Sequence, residues 1–188
     1  MFKLPQEVIS GIKDYRRSLE EFLGEKINPS RFTSIRVPWG VYSHRGKIVY
    51  MTRLRILAAR IDALQLKAIA GAAKAFGKGF VHFTTRQAVQ IHDIRLEDTI
   101  KVIEYLKDYD LSPRGGGGNT IRNITVCPLS GLCADEVFDV TAYAVGLTEF
   151  LLKQDTSYTL PRKLKFSISG CAGSSHRHFL QSIRSPPQ

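Results

Sequence analysis

The sequence predicts an α+β chain, a split β-α-β unit followed by part of an α/β lobe. Two observations carry that expectation. Short β-type segments at 47–56, 80–85 and 88–94 alternate with stretches of helical periodicity. Then the stretch 114–139, RGGGGNTIRNITVCPLSGLCADEVFD, breaks the pattern with four glycines that feed a further β-type segment centred on Arg122. A cysteine-proline pair closes that segment before a new helical start.

Taken in order, Val8, Ile12, Tyr15, Leu19 and Phe22 recur at helical spacing, predicting an amphipathic helix over 7–23 that ends near Gly24. Residues 28–46 read as irregular and hold Trp39, the single tryptophan. In the strand 47–56, Ile48, Tyr50, Thr52, Leu54 and Ile56 face one way and Val49, Met51, Arg53 and Arg55 the other. Asp62 caps an alanine-rich helix that runs to Phe76 and stops at the Gly77-Lys78-Gly79 break. Strands 80–85 and 88–94 meet at Arg86-Gln87, and 96–109 forms another amphipathic helix. With a strand at 121–126, the order over roughly 46–126 is β-α-β-β-α-β, the ferredoxin-like arrangement. A helix over 135–154 and a strand over 163–169 follow, and that last strand shows no partner in the sequence.

Of 188 residues, 43% are hydrophobic and 23% charged, ordinary for a folded chain that buries its own core. No apolar run reaches the roughly 18 residues of a membrane span, and the start MFKLPQEVIS lacks a signal-peptide core, which predicts a cytoplasmic protein. The outlier is a formal net charge of +10, which favours an anionic partner. Cys127, Cys133 and Cys171 form no C-x-x-C and are too few for a closed zinc or four-cysteine site. They read as thiols of a reducing compartment.

The cations fall on β-type segments: Arg53 and Arg55 on one face of the first, Arg86 at the junction of the middle pair with Gln90 and His92 alternating after it. Arg122 follows the glycine run, and Arg162, Lys163 and Lys165 flank the last. Buried arginine is costly unless an anion offsets it, and acidic residues are scarce nearby in sequence. Singly, each cation reads as a solvated strand face, His92 as an ordinary histidine, and the glycine run as a flexible linker. Jointly they point to an exogenous anion, with glycine permitting its close approach to the backbone.

Six motifs in order, GVY (40–42), YMTRLRI (50–56), TTRQAVQIH (84–92), GGGGNTIRNITVCP (115–128), DEVFDVT (135–141) and LPRKLK (160–165), resemble the sirohaem-dependent nitrite and sulfite reductases. The resemblance implies a ferredoxin-like half-domain preceding an α/β lobe that holds sirohaem, a polycarboxylate tetrapyrrole, beside a [4Fe–4S] cluster. It implies that Arg55, Arg122, Lys163 and Lys165 surround the oxyanion, and that Arg53, Arg86, Gln90, His92 and Asn123 hold the macrocycle and its carboxylates. The reaction implied is reduction of nitrite to ammonia or of sulfite to sulfide, fed by ferredoxin or a reductase subunit. Domain boundaries follow at 1–45 (helix and arm), 46–118 (half-domain), 119–173 (start of the sirohaem domain) and 174–188 (tail).

The chain departs from the family in two places. The family's cluster cysteines lie in a later half, so no metal ligands are expected here, Cys171 included. Ile56-Leu57-Ala58-Ala59 also replaces the usual proline-glycine turn. The chain thus reads as an amino-terminal portion that needs the remaining half. The alternative is a non-catalytic sirohaem- or anion-binding module, in which a second copy pairs as a homodimer. The tail SSHRHFLQSIRSPPQ fits either a disordered end or an interrupted longer chain. Nucleic acid is not expected as a partner, because the aromatics sit in core periodicities and do not interleave with basic residues; neither is a membrane.

Overall fold

The computed structural model describes residues 2–44, 48–134 and 136–170. Cys171 and the 174–188 tail lie outside them. Helices α1 (Gln6–Leu23) and α2 (Pro29–Arg36) lead into strands β1 (Val41–Ser43) and β2 (Tyr50–Arg55). Then come α3 (Ala63–Phe76), β3 (Val81–Phe83), β4 (Ala88–Ile94) and α4 (Thr99–Lys107). The remainder holds β5 (Thr125–Val126), α5 (Thr141–Leu152) and β6 (Ser167–Ile168).

The irregular reading of 28–46 is corrected. Asn28 accepts from the Arg31 amide and Pro29 occupies the first turn, where its missing N–H costs nothing, so α2 forms. The fourth strand of the split β-α-β unit is also corrected. The four-stranded antiparallel sheet runs β1-β2-β4-β3, and the segment after α4 joins it only where Ser112 bridges Arg55 on the β1 edge of β2. The ferredoxin-like order thus survives, with β1 filling most of the edge. The predicted 121–126 strand belongs elsewhere: β5 pairs in parallel with β6, Thr125 against Ser167 and Val126 against Ile168. The last strand therefore has its partner, and a bridge from Ile121 to Leu164 extends the pairing. The predicted helix start at 135 moves to Thr141, whose amide bonds Asp139 at 2.8 Å.

One face of the larger sheet is closed by α3 and α4. Leu54, Ile69, Ile91 and Leu106 are fully buried there, each contributing about 1.5–3 kcal/mol. A second core joins α1, α2 and α4 around Tyr15, Phe32 and Trp39. Because side chains alternate along a strand, the opposite face carries Arg53, Arg55, Gln90 and His92.

The Asp62 cap is as the sequence predicts. Its carboxylate accepts from the Gln65 amide at 2.7 Å while Gln65 reaches back to the Asp62 amide at 3.3 Å, a reciprocal capping box. Asp62→Ala is expected to cost about 1 kcal/mol, read as a lower urea midpoint at unchanged slope. The proline-glycine departure also has a visible consequence, since Ala58 and Ala59 both sit at positive φ, 46° and 57°. That is a conformation L-residues enter at a cost of about 1–2 kcal/mol.

Candidate functional site

Two sheets meet at the site, and each brings its own cations. From the larger sheet, the alternation of β2 aims Arg53 and Arg55 away from the helices, and the β3–β4 turn supplies Arg86. From the smaller, Arg122 follows the bridge residue Ile121 and donates its amide to Leu164 at 2.9 Å. That parallel pairing sets Lys163 and Lys165, on either side of Leu164, beside it. Arg53, Arg55, Arg86, Arg122, Lys163 and Lys165 line one cavity of about 290 Å³, together with Thr84, Thr85, Gly116 and Asn123.

Among the described residues, no carboxylate lines this cavity and none of the six cations forms a salt bridge. The side-chain hydrogen bonds of Arg55, Arg86 and Arg122 go instead to backbone carbonyls. Arg55, 3% exposed, donates to Ile121 O. Arg122 reaches Gly116 O at 2.8 Å, a carbonyl that Arg53 also approaches at 3.4 Å. Arg86 spans Asn123 O and Phe166 O at 2.9 and 3.0 Å. The Nε atoms of Arg55, Arg86 and Arg122 are buried without a partner.

Burial, and then the nearby Arg122 charge, pulls the Arg55 guanidinium down to about 10, which leaves it cationic at neutral pH. Arg86 moves down for the same two reasons. Lys165 falls below the usual ammonium range through burial and then through Arg86, Lys163 and Arg122. A ring of partly buried cations with no carboxylate in its described lining is costly by itself, a cost that a bound anion would offset.

The glycine run does something other than the sequence expectation. The space beside it is filled by the protein. A Cβ on Gly116 would stand 2.5 Å from Arg53 O and 2.8 Å from Pro113 O; one on Gly117 would meet Val37 O and the Tyr42 hydroxyl. The loop is thus glycine-rich so that it can press onto β2, where the Gly116 carbonyl steadies two arginines, and only Gly116 of the run lines the cavity. Arg114, which the sequence reading passed over, anchors the loop's start. Its guanidinium lies 4.9 Å from the Trp39 ring centre and 3.8 Å from that of Tyr158. Tyr42 braces the other end, accepting from Gly118 N at 3.0 Å while its ring lies under Arg53 at 5.3 Å.

Gln90, His92 and Asn123 divide. Gln90 on β4 pairs directly with Arg53 on β2, and in the amide orientation that satisfies its neighbours its oxygen accepts from Arg53 Nη2 and Nε at 2.7 and 3.0 Å. Asn123 gives both amide hydrogens to the Arg86 and Gln87 carbonyls, at 3.1 and 2.9 Å, so it braces the turn. His92 does not line the cavity. It lies further along the open sheet face, stacked on Phe80 with centroids 5.5 Å apart and 3.3 Å from His44, its pKa lowered by burial and then by His44.

A ferredoxin-like sheet joined to a second, smaller sheet defines an α+β protein with a cation-lined cavity between the two. The comparisons are more specific. Residues 43–109 match the nitrite/sulfite reductase ferredoxin-like half domain and residues 117–181 the nitrite and sulphite reductase 4Fe-4S domain. The chain belongs to the nitrite/sulfite reductase family. It is 32% identical to an assimilatory ferredoxin-dependent nitrite reductase of Haloferax mediterranei, over 71% of this chain and 25% of that protein. With a ferredoxin–nitrite reductase of Synechococcus elongatus the identity is 34%, over 64% of this chain and 25% of that one. The fold matches the solved Mycobacterium tuberculosis NirA protein with a TM-score of 0.74 at 24% identity, over 84% of this chain and 33% of that one. The chain thus spans about a quarter of the length of these two curated relatives.

The family's cofactors are sirohaem and a [4Fe–4S] cluster. The cation-lined cavity, whose arginines have no acidic partner, suits the carboxylates of the first. Among the described residues no group of three or more histidine, cysteine or acidic side chains is placed to hold a metal. Nor is any helix of the described residues long and apolar enough to cross a membrane.

Proposed function

We propose that this chain is the amino-terminal portion of a sirohaem-dependent oxidoreductase that reduces nitrite to ammonia or sulfite to sulfide, with ferredoxin or a reductase subunit as electron donor. The observation that carries this reading is the carboxylate-free cavity lined by Arg53, Arg55, Arg86, Arg122, Lys163 and Lys165.

In this reading Arg55 and Arg122 bind the oxyanion, since guanidinium groups keep their charge and donate in a fixed fork. They are pre-positioned by Ile121 O and Gly116 O, so little reorganisation is needed as negative charge grows on the substrate oxygen. Arg53 and Arg86 hold the macrocycle's carboxylates, Gln90 and Asn123 fix those two arginines, and the Phe80–His92 stack offers a flat surface to a ring system. Sirohaem, when bound, supplies the electrons to the anion. Lys163 and Lys165 supply protons: burial and the Arg86, Lys163 and Arg122 charges lower the pKa of Lys165, so it gives up a proton more readily than an ordinary ammonium.

Isothermal titration of the chain with sulfite and with nitrite tests the reading. One anion is expected to bind per chain, with affinity falling as ionic strength rises and as pH climbs through the lowered pKa of Lys165. Heats no larger than those of chloride at equal ionic strength would remove the proposal's basis.

A further inference from the structure

We propose that Gln87 is a positioning residue that holds the smaller sheet's cations against those of the larger sheet; this rests on the anion-binding reading of the cavity. In a parallel pair, alternate residues of a strand bond the partner. Here Thr125 N donates to Phe166 O and Cys127 N to Ile168 O, each at 3.1 Å. Val126, between them, therefore turns its N–H and C=O to the opposite edge, where they need other partners. The Gln87 side chain supplies both: Nε2 donates to Val126 O at 2.7 Å and Oε1 accepts from Val126 N at 2.9 Å. One primary amide thus stands where a neighbouring strand's peptide would.

Around it, Arg86 Nη2 donates to Asn123 O and Phe166 O, and Asn123 Nδ2 returns to the Arg86 and Gln87 carbonyls, so six hydrogen bonds join a two-residue turn to the second sheet. Gln87 is held at φ 53°, a conformation that favours glycine. Glycine would fit this backbone better, and glutamine is used because the amide is needed. The same turn carries Arg86 into the cavity, while Asn123 directly follows Arg122. Gln87 is not among the residues that line the cavity; it fixes the spacing between the two sets.

Gln87→Gly separates this role from simple stability. It relaxes the backbone and removes the amide, so the loss of the latch is partly offset and the melting temperature moves little. Sulfite affinity is expected to fall about tenfold, equivalent to about 1.4 kcal/mol, and hydrogen exchange at the Val126 amide to accelerate about tenfold while Ile91 keeps its protection. Gln87→Glu, which keeps the acceptor but sets an oxygen against Val126 O, is expected to weaken sulfite binding similarly. Unchanged sulfite affinity in both variants overturns the positioning role even where exchange is faster. If the parent chain binds no sulfite, the anion reading fails by itself, and Val126 exchange decides the latch: acceleration in Gln87→Gly sustains it, and parental exchange overturns it.

Discussion

Arg55→Met is expected to make the anion-free chain more stable and to remove most of its anion affinity. Among the described residues, the buried Arg55 guanidinium hydrogen-bonds only to the Ile121 carbonyl, with Nε unpartnered and no salt bridge to an acid. Replacing unrelieved buried charge by an apolar side chain of similar length gains up to about 1–4 kcal/mol with the lost hydrogen bonds already counted, and the Ile121 carbonyl left without this donor holds the gain to the lower end. A net gain of about 1 kcal/mol follows, measurable by urea denaturation. The pH dependence has a definite sign. The folded-state pKa lies below the unfolded one, so the folded chain releases this proton first as pH rises through about 10. Above that point the parent recovers the cost of burying charge, and the advantage of methionine shrinks. Anion affinity moves the other way: a charge-assisted bond worth about 1.5–3 kcal/mol corresponds to a loss of roughly ten- to a hundredfold. A variant both less stable and equally able to bind sulfite would contradict the assignment of Arg55.

Gly116→Ala is expected to be strongly destabilising and to weaken anion binding as well. The new Cβ would stand 2.5 Å from Arg53 O, 2.8 Å from Pro113 O and 3.2 Å from Gly40 Cα. All three are backbone atoms, which cannot rotate aside. The loop must lift from β2, costing about 3 kcal/mol at the upper end of overpacking and about 6–12 °C in melting temperature for a chain of this size. It also displaces the carbonyl shared by Arg53 and Arg122, so sulfite binding falls with stability. Gly146→Ala is the control: it lies in α5, where a Cβ meets nothing within 4 Å, and it is expected to stabilise by about 0.5–1 kcal/mol. A Gly116→Ala chain as stable as the parent would mean that the loop does not pack as described.

What could be read from the sequence depended on how local the determinant was. The Asp62 cap and helix α3, strand β4 at 88–94 and helix α1 follow from side chains within a few residues of one another. The common facing of Arg53 and Arg55 follows from strand alternation alone. Helix α2 was also legible in Asn28-Pro29, a cap and first-turn pair hidden by the polar, aperiodic residues after it. Non-local pairings were not legible. Nothing near 121–126 signals that its partner lies about forty residues on, or that Ser112 alone would stand for the fourth ferredoxin-like strand. The cation set was found because arginine on an apolar strand is conspicuous; the residues that brace it were missed. Arg114 depends on Trp39 and Tyr158, distant in sequence, and Gln87 depends on an unpaired strand edge that exists only once β5 and β6 have met. The glycine run shows the limit most clearly, since its composition announced a close approach without saying what approaches.

The most direct test is to follow the arginine Nε–H resonances of the uniformly labelled chain while sulfite is added. The buried, unpartnered Nε groups of Arg55, Arg86 and Arg122 are shielded from exchange and report on the cavity itself. All three are expected to shift along one saturable curve, with exposed Arg17 and Arg31 unmoved. Shifts confined to the exposed arginines, or none that saturate, would contradict the claim that this cavity is an oxyanion site.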